Sequence, residues 1–142
     1  MQTKKFSTYH HTKYDKPAKT AITKWLQKQG WECKENPDRL GIDLIATSPN
    51  GHTWQIEVEV KNKWQTGTFK YDTLHIAGRK EKFITKNTIH ITINELFTHF
   101  VLVPTHTLQN STRITKNTIY TQNEKFIEIQ IKDCTIHRLE EQ

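Results

Sequence analysis

From His52 to Lys61 the chain alternates without a break. Trp54, Ile56, Val58 and Val60 fall on one side, and Gln55, Glu57, Glu59 and Lys61 on the other. A two-residue period marks a strand buried on one face. The run before it offers Ile42, Leu44 and Ala46 as an apolar set, with Ser48-Pro49-Asn50-Gly51 in between. Proline suits the first central position of a type I turn, and glycine takes the left-handed residue that follows. Residues 41–64 therefore predict a β-hairpin. With Ser48 facing His52, Ile42 pairs with Val58, Leu44 with Ile56 and Ala46 with Trp54. That register sets Asp43 opposite Glu57 and diagonal to Glu59, about 7–8 Å away at the backbone. A slip of one residue would drive the acids into the core, so the register is strongly specified.

A helical period governs residues 15–29. Ala18, Ala21, Ile22, Trp25 and Leu26 form one apolar stripe. Asp15 is the predicted cap, Pro17 suits the first turn, and Gly30 ends the helix. Lys16, Lys19, Lys24 and Lys28 lie off the stripe, as a solvated face that also adds positive potential. Residues 31–35 predict a short strand broken by Pro37-Asp38. Beyond Trp64, the pattern predicts strands at 71–76, 89–93, 99–103, 113–120, 125–132 and 135–139. Ile127, Ile129 and Ile131 face inward in the fifth of these. Residues 79–83 predict a cation-rich turn or short helix, 94–96 a turn, and 105–112 a polar loop. Residues 1–14 predict a basic arm carrying Phe6, Tyr9 and Tyr14. The hexapeptide ITKNTI occurs at 84–89 and 114–119, but its flanks differ and no repeat architecture follows.

Length and composition narrow this. A chain of 142 residues suits one domain. Only 34% of its residues are hydrophobic, which predicts a core that is thin or shared with a second subunit. A net charge of +6 points to a polyanionic partner. Cys33 and Cys134 fit no zinc spacing and suit a reducing cytosol. No apolar run is long enough for a bilayer, and MQTKKFSTYHH lacks the apolar region of a signal peptide. A soluble, intracellular protein without a membrane partner is expected. The scattered histidines form no HExxH or Cys/His zinc motif, and no glycine loop cradles phosphate.

Three carboxylates and an ammonium on one sheet face carry the chemistry. Hydrolysing a phosphodiester requires the phosphate charge to be neutralised, a water activated and the leaving oxygen stabilised. Mg²⁺ on one or two carboxylates does much of this, and a neighbouring lysine can orient the water and balance charge. Asp43, Glu59 and Lys61 supply those parts. Two other E-x-K-like stretches exist, but Glu32-Cys33-Lys34 has no strand-borne Asp before it and Glu128 to Lys132 places Gln130 where the acid belongs.

Helix, strand, Gly41-Ile42-Asp43, a turn, then Glu59-Val60-Lys61 resembles the PD-(D/E)XK nuclease superfamily, in particular its small phage-type or its homing- or junction-resolving-like members. The resemblance implies an α+β fold. Its αβββ restriction-endonuclease-like core, a mixed central sheet with an N-terminal helix, would cover 15–64, with 65–142 as a strand-rich extension. It also implies Asp43 and Glu59 as metal ligands and Lys61 as the catalytic lysine. Ile42 stands where the motif has proline. Many members add a Glu from the first helix. Here that helix has no acid after Asp15, so either Glu57 substitutes or a single ion binds. The implied activity is a Mg²⁺-dependent DNA endonuclease, with Mn²⁺ substituting, that leaves 5′-phosphate and 3′-hydroxyl ends. Cutting both strands implies a homodimer or higher oligomer. Lys63, Arg79, Lys80, Lys82, His75 and Lys24 are the candidate nucleic-acid contacts. Trp54 and Trp64 are assigned to packing. The alternative is a non-catalytic, basic nucleic-acid-binding protein with a degenerate motif.

Overall fold

The computed structural model describes residues 15–37, 42–65, 67–119 and 122–139. The predicted arm at 1–14 and Gly41 of the motif lie outside them. Helix α1 (Lys16–Lys28) buries Ala18, Ile22 and Leu26 along the predicted stripe. It ends in a Schellman arrangement. Gly30 takes φ +88°, its N–H bonds Gln27 O at 3.0 Å, and Trp31 N–H bonds Leu26 O at 3.0 Å. The start differs from expectation. Asp15 is itself helical and makes no side-chain cap bond, because its carboxylate is drawn to Lys19 Nζ, 3.1 Å away.

The strands are β1 (Glu32–Glu35), β2 (Leu44–Thr47), β3 (Thr53–Lys61), β4 (Thr73–Ala77), β5 (Thr88–Asn94), β6 (His99–Val103), β7 (Thr112–Lys116), β8 (Glu124–Gln130) and β9 (Thr135–Arg138). Six form one sheet in the order β1-β2-β3-β5-β6-β9. Its pairs are antiparallel except β3 with β5, which run parallel. The crossover between those two contains β4 and a 3₁₀ turn, Gly78–Phe83. Strands β4, β8 and β7 form a second sheet. The α+β class and mixed central sheet are thus as the sequence predicts. Strands β5, β6 and β9, from beyond Trp64, complete that sheet.

The hairpin has its predicted register. Leu44 pairs with Ile56 and Ala46 with Trp54. The turn closes through Gly51 N–H to Ser48 O and Ser48 N–H to His52 O, both 2.8 Å, with Gly51 at φ +87°.

The main sheet is covered on both faces, and each face has its own core. On one face α1 packs against Leu44, Ala46, Ile56, Val58, Ile89, Ile91, Ile93 and Phe100. On the other, Val101 and Val103 meet Leu74, Ile76, Ile127 and Ile129 of the second sheet, with Trp64 and Phe69. Trp64 packs edge-on against Phe69, centroids 5.2 Å apart. Parallel pairing sets Glu57 beside His90, Glu59 beside Thr92 and Lys61 beside Asn94. The second face therefore grades from charged at β3, through Thr88, His90, Thr92 and Asn94, to apolar at β6. The second sheet packs on the apolar half, which leaves the acids at its rim. Among the described residues no helix is long and apolar enough to cross a membrane.

Three later elements depart from expectation. Strand β7, predicted over 113–120, ends at Lys116. Residues 105–112 hold a short helix, α2 (Thr105–Asn110), not only loop. Leu108 is its one large apolar residue, so the sequence has no helical period to show. Burial of Leu108, and of Thr107 through its hydroxyl bond to Asp133 O at 2.8 Å, holds it in place. Strand β8 stops at Gln130, and Ile131 turns into a 3₁₀ segment. The Gly78–Phe83 turn is clamped by a bidentate pair: Arg113 Nε and Nη2 each donate to Glu81 at 2.8 Å. A Cβ at Gly78 would lie 2.7 Å from Lys125 O and 2.8 Å from Lys125 Cβ. Gly78→Ala is expected to cost about 1–3 kcal/mol, seen as a lower urea midpoint at unchanged slope.

Candidate active site

Asp43 sits one residue before β2. Its Oδ2 accepts the Val58 N–H at 2.8 Å, which ties the head of β2 to the middle of β3. Its other oxygen lies 3.4 Å from Lys19 Nζ. Lys19 also reaches Asp15 at 3.1 Å and Glu35 at 3.7 Å. Burial works against its ammonium charge, but the Asp15 hydrogen bond and the Asp43 charge outweigh that and raise its pKa.

Glu57 is 3% exposed. Its Oε2 accepts from Lys80 Nζ at 3.0 Å, while Oε1 has no hydrogen-bond partner among the described residues. Burial first, then the Asp43 charge beside it, push its pKa up to about 7, against the pull of Lys80. Glu59 keeps about half its side-chain surface. Its pKa is raised too, foremost by lost hydration, with Asp43 adding and Lys80, Arg79 and Lys61 opposing. His90 is buried, with Nε2 3.1 Å from Thr92 Oγ1 and 3.6 Å from Glu59 Oε2. Burial, helped by Lys80, lowers its pKa to about 3, so the ring is neutral.

The hairpin thus brings Asp43, Glu57, Glu59 and Lys61 to one sheet face. Glu59, Lys61, Lys63 and His75 line a cleft of about 210 Å³ at the rim of the second sheet. His75 is held between Glu128 Oε2 at 3.1 Å and Lys116 Nζ at 2.7 Å. Lys80 stands inside the site, with its ammonium on Glu57. Arg79 is exposed and its charge reaches Glu59. Lys82 is exposed and lies over the Phe83 ring, 5.1 Å from its centroid. Lys24 lies elsewhere, in a groove between α1 and β1. Lys19 and His90 are the members that sequence reasoning missed. His90 belongs to a visible polar alternation, Thr88-His90-Thr92-Asn94, but only the parallel β3–β5 pairing sets it beside the acids.

Among the described residues, no three His, Cys, Asp or Glu side chains gather closely enough to cage a metal ion. The donor set instead suits a hydrated ion. Mg²⁺ retains several waters and binds through one or two carboxylates, and the unpartnered Glu57 Oε1 beside Asp43 offers such a place.

The raised pKa has a measurable consequence. Folded Glu57 binds its proton more tightly than the unfolded chain does, so its contribution to stability is present below the ordinary carboxylate range. It is lost as pH rises toward about 7. Glu57→Gln mimics the neutral form. In chelator it is expected to exceed the wild type by about 3 kcal/mol at pH 8 and to match it near pH 4. Urea unfolding at the two pH values reads this, and a pH-independent difference would contradict it.

No family model matches the sequence, and no curated protein matches it. Among solved structures the chain is similar to Archaeoglobus fulgidus Hjc, a Holliday junction resolvase from an archaeal hyperthermophile. Identity is 12% over 81% of this chain and 82% of that chain, with a TM-score of 0.48.

Proposed function

We propose that the chain is a metal-dependent DNA endonuclease of the PD-(D/E)XK kind. The observation that carries this reading is the Glu57 carboxyl, buried beside Asp43 with one oxygen unpartnered. Stability alone does not favour that arrangement, because a buried polar atom left without a hydrogen bond costs free energy even when the other oxygen is paired with Lys80. A cation-binding role accounts for it. Asp43 and Glu57, with Glu59 as the outer carboxylate, would hold Mg²⁺, and Mn²⁺ would substitute. When bound, the ion supplies Lewis acidity and a water of lowered pKa.

The chain's own residues do the rest. Val58 N–H and Lys19 fix the Asp43 carboxylate from two directions, so it does not reorganise during reaction. Lys61 shares the cleft with Glu59; there its ammonium orients the attacking water and offsets charge on the phosphate. Glu59, with its raised proton affinity, accepts a proton at its carboxylate. Neutral His90 packs behind Glu59 without adding a competing charge. The products would be 5′-phosphate and 3′-hydroxyl ends, and a symmetric oligomer would supply the second site for the second strand.

The pairing of Asp43 with Lys19 and Glu57 with Lys80 favours a second reading, in which the acids are structural and a basic protein binds nucleic acid without cutting it. Scanning calorimetry with Mn²⁺ separates the two. The nuclease reading expects about 2.7 kcal/mol of stabilisation at a hundred times Kd, lost in Asp43→Asn. A wild type unmoved by Mn²⁺ leaves the second reading.

A further inference from the structure

A groove of about 340 Å³ runs between α1 and β1. Lys16 and Lys24 line it from α1 and the strand residue Lys34 borders it, all three exposed, and Thr23 and Gln27 add uncharged donors. Its one acid, Glu35, lies 3.7 Å from Lys19 Nζ. The same Lys19 reaches Asp43, so the groove opens onto the acidic site. The cleft of Lys61 and Lys63 lies on the other side of that site.

Strand register gives the scale. Lys34 pairs with Ile45, and Ile45 with Gln55, while Lys61 is six positions further along β3. At about 3.3 Å per residue and about 4.8 Å between strands, Lys34 and Lys61 are about 22 Å apart at the backbone. Asp43 falls between them, two positions from Ile45 and on the strand next to each. At about 3.4 Å of axial rise per base pair, that span matches about six base pairs of duplex.

The geometry points to a phosphodiester track that enters along the α1–β1 groove, passes Asp43 and leaves through the Lys61–Lys63 cleft. The groove is a DNA-backbone site distinct from the acids. Lys16, Lys24 and Lys34 contact phosphates and read no base, so they contribute affinity without sequence preference. This rests on the proposed nuclease reading for the nature of the polyanion, but not for the chemistry of cutting.

The test is fluorescence anisotropy of a labelled 20-base-pair DNA duplex in EDTA, over a range of salt. It compares the wild type, K16Q/K24Q/K34Q, and a charge-matched control, K70Q/K86Q/K132Q, whose exposed lysines line neither the groove nor the cleft. The groove variant is expected to bind at least about tenfold more weakly near 0.1 M salt, with the slope of log K against log salt reduced by about 2 to 3. The control is expected to keep the wild-type slope. Equal losses in both variants, or none in the groove variant, overturn the track. Because no divalent ion is present, this outcome is independent of cleavage. A wild type that binds through the groove yet never cuts would sink the nuclease reading alone.

Discussion

Asp43→Asn is expected to lower phosphodiester cleavage by about 100- to 1000-fold, the scale on which single electrostatic contributors to a transition state act. The substitution keeps the size of the side chain and an oxygen able to accept the Val58 N–H, so the hairpin should survive. What it removes is the negative charge that faces Glu57 and Lys19. Relief of repulsion on Glu57 offsets loss of the Lys19 pair, so the urea midpoint should stay close to that of the wild type. Single-turnover cleavage of labelled DNA in Mn²⁺ reads the rate. A variant that is folded and equally active would place Asp43 outside the chemistry.

The second large effect is on stability. Phe100→Ala is expected to cost about 3–5 kcal/mol. Phe100 is fully buried on β6. Trp25 meets it edge-on with centroids 4.9 Å apart, and His137 stacks on it at 5.0 Å. One ring thus joins α1, β6 and β9, and its removal leaves a cavity none of them can close alone. It belongs to the core between α1 and the sheet, on the face away from the acids. The urea midpoint should fall steeply while the folded protein retains its cleavage rate. A loss below about 1 kcal/mol would mean that this core collapses around the gap.

The sequence revealed local structure far better than long-range pairing. Strict alternation and the Ser48–Gly51 turn were enough to fix the hairpin register, because any slip moves every apolar residue to the wrong face. The α1 stripe was legible for the same reason. Strand β5 was found, but not its surroundings. Its polar residues are buried against the turns and the short helix α2, with Thr88 bonding Phe83 O and Thr105 and Asn94 bonding Gln65 O, and no local pattern records which sheet a later strand will join. That is why the sequence does not set His90 beside the acids, and why Lys80, expected among the nucleic-acid contacts, instead has its ammonium on Glu57, brought there by the crossover turn. Asp15 was misassigned as a cap because a side chain that can bond the helix N-terminus can also pair with Lys19 one turn on. The acids were readable as a group. Their order was not: Glu57, held in reserve behind Glu59 as a ligand, is the buried partner of Asp43.

The central claim is that these carboxyl groups bind one divalent ion. A crystal grown with saturating Mn²⁺, with data collected at the manganese absorption edge, tests it most directly. The account expects an anomalous peak touching both Asp43 and Glu57, with waters completing the coordination. A peak elsewhere, or an empty site with Lys80 still on Glu57, would contradict it.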